Sequence, residues 1–360
     1  MSAHEILIWV MAAFAVLGAL DRIFGNRLGL GKEFEEGILT MGSLALAMVG
    51  IITLAPVLAK LLRPVAEPVY RFLGADPAMF AGTILACDMG GGALARELTT
   101  DPQAALLGGV ICGSMLGATV VFTIPVALGI LSRQEHPYLA KGILAGVVTI
   151  PVGILVGGLV AGFPFGMVLK NLIPVVLLAA LITLGLWKAE RFMIRGFAIF
   201  GKGIIALITV GLAAAIVESL TGFAVIPGMA PIEEGFLTAG AIAVVLAGAF
   251  PLVNLITRLL KKPLLGAGRL LGVNETAAAG LIATLANSIA TFQLVEKMDK
   301  RGKVVNIAFA VSAAFVFGDH LGFTAGFAPQ MLPAVILGKL AGGISAVAVA
   351  ILLTKKENEG

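Results

Sequence analysis

The sequence has little charge and almost no cysteine. Charged residues make up 13% of its 360 positions, about half the share found in a typical soluble domain. The two cysteines, Cys87 and Cys112, lie in apolar sequence and form no Cys-x-x-Cys motif, which argues against a disulfide framework or a metal site. Signatures of nucleotide-binding loops, zinc peptidases and serine hydrolases are also absent. We therefore predict neither an enzyme nor a protein with a metal or cofactor.

Hydrophobic residues dominate instead. They make up 59% of the chain, the mean hydropathy is +1.04, and several apolar runs reach the roughly 20 residues that a helix needs to cross a bilayer. The 46 glycines suit close helix packing in lipid. The net charge of +4 lies in short loops beside these runs, so membrane topology explains it and no nucleic-acid partner is needed. The composition predicts an all-α polytopic membrane protein.

The hydropathy pattern predicts about 9–11 transmembrane segments. Nine are full spans, at 5–24, 38–59, 104–131, 139–162, 169–187, 201–220, 236–257, 304–327 and 331–354. Two more, near 77–98 and 274–296, are apolar but interrupted, the first by Asp88 and three following glycines, the second by Asn287-Ser288. Each glycine inside a helix costs about 1 kcal/mol relative to alanine. We therefore expect discontinuous or re-entrant elements at both places.

One segment of the chain occurs twice. The windows 35–50 and 233–248 are identical at eight positions, beginning with Glu-Glu-Gly, and lie 198 residues apart. Internal duplication with broken helices is typical of secondary transporters. The repeat predicts a first transmembrane unit at 1–165 and a second at 199–354. A linker helix and cytoplasmic loop at 166–198 would join them, and a charged tail would occupy 355–360.

The distribution of lysine and arginine indicates how the two units are oriented. If both interrupted segments re-enter and return, one face collects five of these residues in its loops and the other collects nineteen. Cytoplasmic loops carry the excess of positive charge, so this arrangement places the C-terminus inside the cell. It also gives the two units opposite orientations, which predicts an inverted repeat.

The interruptions are the first place to look for a site. A carboxylate such as Asp88 inside the membrane is costly and usually marks a substrate path, an ion site or a proton relay. The alternative is a helix N-cap, a position that aspartate also favours. At the corresponding break, Asn287 and Ser288 supply neutral hydrogen-bonding groups. We predict that these three residues bind the substrate.

Asp319 and His320 form a second polar cluster, within the predicted span 304–327. Adjacent aspartate and histidine can bind a cation or exchange protons near neutral pH, so we predict a role in coupling or gating. Ordinary polar residues at a helix end are the alternative. Glu218 is a weaker candidate for the same role, because an acid near the end of a span is inexpensive.

Three segments together resemble the bacterial ethanolamine-utilisation permease family: Gly29–Gly37, Asp88-Met89-Gly90-Gly91 and Phe317-Gly318-Asp319-His320-Leu321. The resemblance covers nearly the whole chain. It implies a multi-pass protein of the bacterial cytoplasmic membrane that imports ethanolamine for a catabolic pathway. Ethanolamine and the lipid bilayer would then be its partners.

Two other functions remain open from the sequence. An ion-coupled carrier of a small organic anion would hold the substrate's carboxylate at half-helix N-termini, with Asp88 or Asp319 binding Na⁺. A membrane-embedded enzyme would use the same two residues as an acid pair, which requires them to converge. The coupling ion, Na⁺ or H⁺, and the formation of a homo-oligomer are not determined by the sequence.

Overall fold

The computed structural model describes residues 2–355, with the backbone alone at 260–265, 267 and 269. The described residues are almost entirely helical and include no strand. Within the described residues, seven helices are long and apolar enough to cross a membrane. The predicted all-α polytopic class is confirmed, while most of the predicted tail at 355–360 lies outside the described residues.

We number the helices in chain order. They are α1 (Ala3–Ile23), α2 (Leu30–Phe72), α3 (Ala78–Ile84), α4 (Gly92–Leu98), α5 (Pro102–Ile130), α6 (Arg133–Val160), α7 (Phe165–Thr221), α8 (Ile232–Leu271), α9 (Glu275–Ala286), α10 (Ser288–Leu294), α11 (Lys300–Ala313), α12 (Asp319–Phe327) and α13 (Pro329–Leu353).

Helix α7 replaces two predicted spans and the loop between them. Its 57 residues would extend about 85 Å at 1.5 Å per residue, far more than one bilayer. At Ala189 the backbone leaves helical geometry, with φ −142° and ψ 44°. The predicted spans 169–187 and 201–220 are therefore two helical arms that meet at a kink, without an intervening loop.

Both predicted interruptions are present, and the structure has a third. Irregular backbone at Cys87–Gly91 separates α3 from α4, and extended Asn287 separates α9 from α10. The prediction of a continuous span over 304–327 is wrong, because the helix stops after Ala313 and restarts at Asp319. Phe315 within this break has a φ of 62°, a left-handed conformation that is rare for a bulky residue.

The third break is stabilised by the second. The backbone N–H groups of Phe315 and Phe317 donate to the carbonyl oxygens of Thr284 and Leu285, at 3.2 and 2.8 Å. Buried backbone groups must find partners, and these bonds replace the helical ones that the break removes. Sequence patterns do not report such tertiary bonds, which explains why the span looked continuous.

Glycine contacts fix how α2 and α8 pack. A side chain on Gly37 would collide with the backbone of Ala247, and one on Gly235 would lie 2.7 Å from the Val49 side chain. An early residue of each helix thus meets a later residue of the other, so the two helices run antiparallel. The duplicated Glu-Glu-Gly sequences therefore lie at opposite ends of this packed pair.

The two copies also make matching contacts with their neighbours. Gly50 of α2 packs against the backbone of α7 at Ile208, and its counterpart Gly248 of α8 packs against the backbone of α1 at Met11. Inverted repeats would produce such paired contacts. The inverted repeat and its boundaries remain a prediction, which these contacts support.

A buried ion pair joins α6 to α11. Lys303 Nζ lies 2.6 Å from both carboxylate oxygens of Glu135, and both side chains are about nine-tenths buried. The lysine nitrogen also lies 5.1 Å from the centre of the Tyr138 ring. Burying two charges is tolerated only when they are paired in this way.

Candidate functional site

Two faces of the protein can be defined from helix α5. We call the face where α5 begins face A and the face where it ends face B. This helix, which is π-helical at Leu107–Gly117 and Thr119–Thr123, has 29 residues, more than the roughly 20 that a helix needs to cross the membrane. Ala118 lies near its midpoint and lines a cavity together with Asp88 and Asp319. The two carboxylates therefore lie deep within the membrane.

The cavity, which we call the central cavity, is small and closely lined. Its volume is about 30 Å³, and its walls include Asp88, Asp319, His320, Phe122 and Phe315. A cavity must offer roughly 10–15 Å³ by this kind of measure to hold one water molecule. The central cavity therefore has room for one ammonium group or a water or two.

The break between α3 and α4 places Asp88 in this cavity. Gly90 adopts a φ of +89° and lies so close to Ile51 that no side chain would fit. The glycines after Asp88 therefore let the chain turn sharply against α2 before α4 begins. The predicted interruption of the helix at this place is confirmed, while its role in substrate binding remains a prediction.

The third break places Asp319 and His320 at the opposite wall. Asp319 is the first residue of α12, and His320 is 3% exposed. The Nε2 atom of His320 lies 3.7 Å from the Asp88 Oδ1 atom, while its Nδ1 atom has no hydrogen-bond partner among the described residues. The structure thus brings Asp88 together with Asp319 and His320, which lie 231 and 232 positions later in the sequence.

Lys339 of α13 is a site residue that the sequence analysis missed. Its side chain is 1% exposed, and its Nζ atom donates to the Ser114 carbonyl oxygen at 2.5 Å. It interacts electrostatically with Asp88 and His320. A lysine in the middle of a predicted span was a sufficient signal, because an intramembrane charge is a functional candidate whatever its sign.

Three donor atoms near the cavity are also of types that bind metals. The Cys87 sulfur, an Asp88 carboxylate oxygen and a His320 ring nitrogen all lie within 4.8 Å of one another. Cysteine, histidine and aspartate are the usual ligands of zinc. The group therefore has the composition of a metal site, although the same residues also fit a site for an organic cation.

A larger cavity, which we call the vestibule, lies between α2, α5 and α7 and reaches the two carboxylates. Its volume is about 710 Å³, and its lining includes Asp88 and Asp319. Gly129, near the face B end of α5, and the exposed Lys202 of α7 also line it. Apolar side chains of α2, α5 and α7 form most of its wall: Leu44, Leu46, Val121, Phe122, Val126, Leu128, Ile205 and Ile208.

Contact between α4 and α12 closes the path from the central cavity to face A. A side chain on Gly92 would lie 2.8 Å from the Phe323 ring, and that ring stacks on Phe327 at 4.8 Å. The Arg96 guanidinium lies 3.6 Å from the centre of the Phe327 ring and donates to the carbonyl oxygen of Phe327 at 3.1 Å. The site is thus closed toward face A, and the vestibule approaches it from the face B half of the protein.

Comparison with known proteins places the chain in a family. A family model described as "Ethanolamine utilisation protein, EutH" matches residues 3–353. The chain belongs to the EutH family. A Listeria monocytogenes protein named "Probable ethanolamine permease EutH" is 60% identical over 356 residues, covering 99% of this chain and 95% of the relative.

Other relatives extend over the same length. A Salmonella typhimurium protein, also named "Probable ethanolamine permease EutH", is 48% identical over 396 residues, covering 99% and 97% of the two chains. A Bacillus subtilis protein named "Uncharacterized protein YxeR" is 51% identical over 358 residues, with the same coverage. No protein of known structure matches the chain. The apolar helices and these relatives identify a multi-pass bacterial membrane protein of the EutH family.

The remaining predicted site residues lie apart from the central cavity. Neither Asn287 nor Ser288 is among the described residues that line the central cavity or the vestibule. The side chain of Asn287 is exposed and accepts a hydrogen bond from the backbone N–H of Ile289 at 2.8 Å, whereas the Ser288 hydroxyl is buried without a described partner. Glu218 lies near the end of α7, in its last turn. Roles for these three residues in this EutH protein remain predictions.

Proposed function

We propose that this EutH protein is a permease that carries ethanolamine across the bacterial cytoplasmic membrane for catabolism. One observation carries the proposal: Asp88 and Asp319 reach the same cavity deep in the membrane from different broken segments. Placing two carboxylates there is costly unless a cation offsets them. Membership of a family whose relatives are named probable ethanolamine permeases supports the same substrate.

The chemistry of the central cavity suits a small hydroxylated amine. Ethanolamine, like lysine, is mostly protonated at neutral pH, and Asp88 supplies the opposite charge. The rings of Phe122 and Phe315, 5.4 Å apart, add surfaces that attract an ammonium group. The unpaired Nδ1 atom of His320 is available to the hydroxyl group. Ser288 would contribute a second neutral group, as the sequence predicted, if its break moves toward Asp88 during transport.

Asp319 and His320 are the proposed coupling residues. An ammonium ion offsets one of the two carboxylates, and Lys339 offsets the other. A coupling ion, Na⁺ or H⁺, would have to compete with the ammonium group or with Lys339 for these two carboxylates. In an alternating-access cycle the site is exposed to one face at a time. A site approached only from the face B side would be one of the two states of such a cycle, either inward-facing or outward-facing.

The alternatives have less support. Two carboxylates beside the site oppose the binding of an organic anion. The convergence that an acid-pair enzyme requires is present, but the permease names of the relatives point to transport instead of catalysis.

Ethanolamine uptake by proteoliposomes tests the proposal. Purified protein would be reconstituted, and labelled ethanolamine uptake measured with and without imposed Na⁺ and proton gradients. The Asp88→Asn variant keeps the shape of the side chain but removes its charge. We expect affinity to fall by about 2–5 kcal/mol, the cost of removing one member of a buried charge pair.

Asp101→Asn is the matched control. Asp101 caps α5 by accepting from the backbone N–H of Gln103 at 2.9 Å, and asparagine caps helices about as well as aspartate. The control should transport like the parent. Parental ethanolamine affinity in a well-folded Asp88→Asn protein would refute the assignment of Asp88 to the ammonium group.

A further inference from the structure

We infer that the vestibule is a binding site for primary alkylammonium ions with chains of about six to eight carbons, which act as competitive ligands. The inference rests on the proposed function, because the ammonium group of such a ligand would occupy the ethanolamine position. It goes further in assigning the vestibule wall to the alkyl chain.

The size of the vestibule is the first reason. Ethanolamine has four non-hydrogen atoms, whereas the vestibule measures about 710 Å³. Pockets of about 300–1,000 Å³ hold ligands of drug size. Most of the vestibule therefore stays free of ethanolamine when its ammonium group lies between the carboxylates, and a longer molecule could fill it.

The distribution of polarity is the second reason. Side chains from three helices make the wall apolar, and the carboxylates of Asp88 and Asp319 lie at its deep end. Ser43, Lys202 and Thr209 are exposed residues of the lining. An amine must therefore point its charge inward, because the acids attract it and the apolar wall offers it no partner. A fatty acid of equal length cannot place its carboxylate beside Asp88 and Asp319, because like charges repel.

The length of the wall sets the chain length. Phe122, which also lines the central cavity, and Gly129, near the end of α5, both line the vestibule. Their separation of seven residues corresponds to about 10 Å at 1.5 Å per residue. An extended chain of about eight carbons is comparable in length, so octylamine should be covered almost entirely.

Affinity should rise with each methylene that the wall covers. Burial of one CH₂ group contributes roughly 0.8 kcal/mol, or up to about fourfold in affinity. Displacement of labelled ethanolamine from protein in lipid nanodiscs would be measured for propylamine, hexylamine, octylamine and octanoate. We expect octylamine to displace ethanolamine at a concentration at least tenfold lower than propylamine, and octanoate not to displace it.

Partition of octylamine into the lipid could mimic such a gain, and a pair of variants separates the two effects. Ala198 lines the vestibule, whereas Ala206 is an exposed residue of the same helix outside that lining. The Ala198→Phe variant should reduce the octylamine advantage to less than threefold, and Ala206→Phe should keep it. If Ala198→Phe does not fold, Ala47→Phe tests the opposite wall.

Each outcome bears on the inference. The inference would be overturned if octylamine had the same advantage over propylamine in both α7 variants, or no advantage in the parent. If the protein still bound ethanolamine in that case, the proposed function would stand. Thermal stabilisation of the protein by octylamine alone gives a second readout. Suppose that the stabilisation increases with chain length and is lost in Asp88→Asn, but that the parent does not bind ethanolamine. This result would support the vestibule site and refute the ethanolamine proposal.

Discussion

Replacing Lys339 by methionine should make the site bind ethanolamine more tightly at alkaline pH. When Asp88, Asp319 and Lys339 are all ionised, the empty site has a formal charge of −1, and the bound ammonium neutralises it. Lys339→Met keeps an unbranched side chain of similar length in α13 but removes the positive charge. The ammonium group of ethanolamine would then enter a site of formal charge −2, without repulsion from the lysine.

The size of the effect follows from the burial of the lysine. Its side chain is 1% exposed, so water screens it weakly. At an effective dielectric constant of about 20, two unit charges 4 Å apart interact by about 4 kcal/mol. Lys339 does not line the central cavity, so the lysine and the ammonium group would be farther apart and we take roughly 2–3 kcal/mol. The variant should therefore bind ethanolamine about 30- to 100-fold more tightly at pH 8. At pH 6 the gain should shrink, because a proton can replace the missing positive charge.

Equilibrium binding of labelled ethanolamine at both pH values checks this prediction. Lys202→Met is the matched control, because Lys202 lines the exposed end of the vestibule and water screens its charge; its affinity should change by less than about threefold. The Lys339→Met substitution also removes the hydrogen bond to the Ser114 carbonyl oxygen. Thermal unfolding therefore verifies that the variant is folded. Weaker binding by a folded Lys339→Met protein at pH 8 would refute the argument and make the lysine part of the substrate site.

Three other changes test the architecture. Arg96→Ala removes both the cation from the Phe327 ring, worth about 0.5–2 kcal/mol, and the hydrogen bond to the Phe327 carbonyl oxygen, worth about 1.5–3 kcal/mol. It should therefore speed amide hydrogen exchange in α12 by about 30-fold or more, whereas Arg71→Ala on the same face should not. Glu135→Gln leaves the buried Lys303 without its anionic partner and should lower the stability of the protein by about 3–5 kcal/mol, measured as a lower unfolding temperature. An unchanged unfolding temperature would show that the pair is solvated. Gly50→Ala places a methyl group against the α7 backbone and should lower the stability of the protein by about 1–3 kcal/mol. Gly42→Ala is the control, because Gly42 has no atom nearby that the methyl group would meet. Equal unfolding temperatures for the two variants would contradict the packing.

The class of the protein and its first two breaks were predictable because they depend on local sequence. Long apolar runs identify membrane helices without knowledge of their neighbours, and three glycines after Asp88 weaken a helix by about 1 kcal/mol each relative to alanine. The same local reasoning selected Asp319 and His320, since a polar pair inside an apolar segment is costly in any fold. The resemblance to the ethanolamine-utilisation family was confirmed by the family comparison.

What the sequence could not provide is how distant segments meet. The break before Asp319 is stabilised by hydrogen bonds to carbonyl groups of α9. No sequence feature near Asp319 indicates these hydrogen bonds. Convergence of Asp88 with Asp319 is likewise a tertiary result. Lys339 differs from these, because its position in an apolar span was visible. It was overlooked because the charge analysis counted only residues in loops.

Closure toward face A places a requirement on any transport cycle. A substrate that reaches the central cavity from face B leaves through face A only if α4 separates from α12. These helices have seven and nine residues, and each begins at a break. Each can therefore move as a short unit without bending a full span, as discontinuous helices do in other transporters.

The contacts that such a movement must break are weak. They include the Arg96 contact with the Phe327 ring, at about 0.5–2 kcal/mol, and one hydrogen bond to a charged donor, at about 1.5–3 kcal/mol. Ammonium binding at the cavity end of both helices could supply a comparable energy. Separating α3 from α5 instead would disrupt the packing of Gly82 against the backbone of Gly108, where the helices touch without intervening side chains. Face A should therefore open between α4 and α12, the interface whose contacts cost least to break.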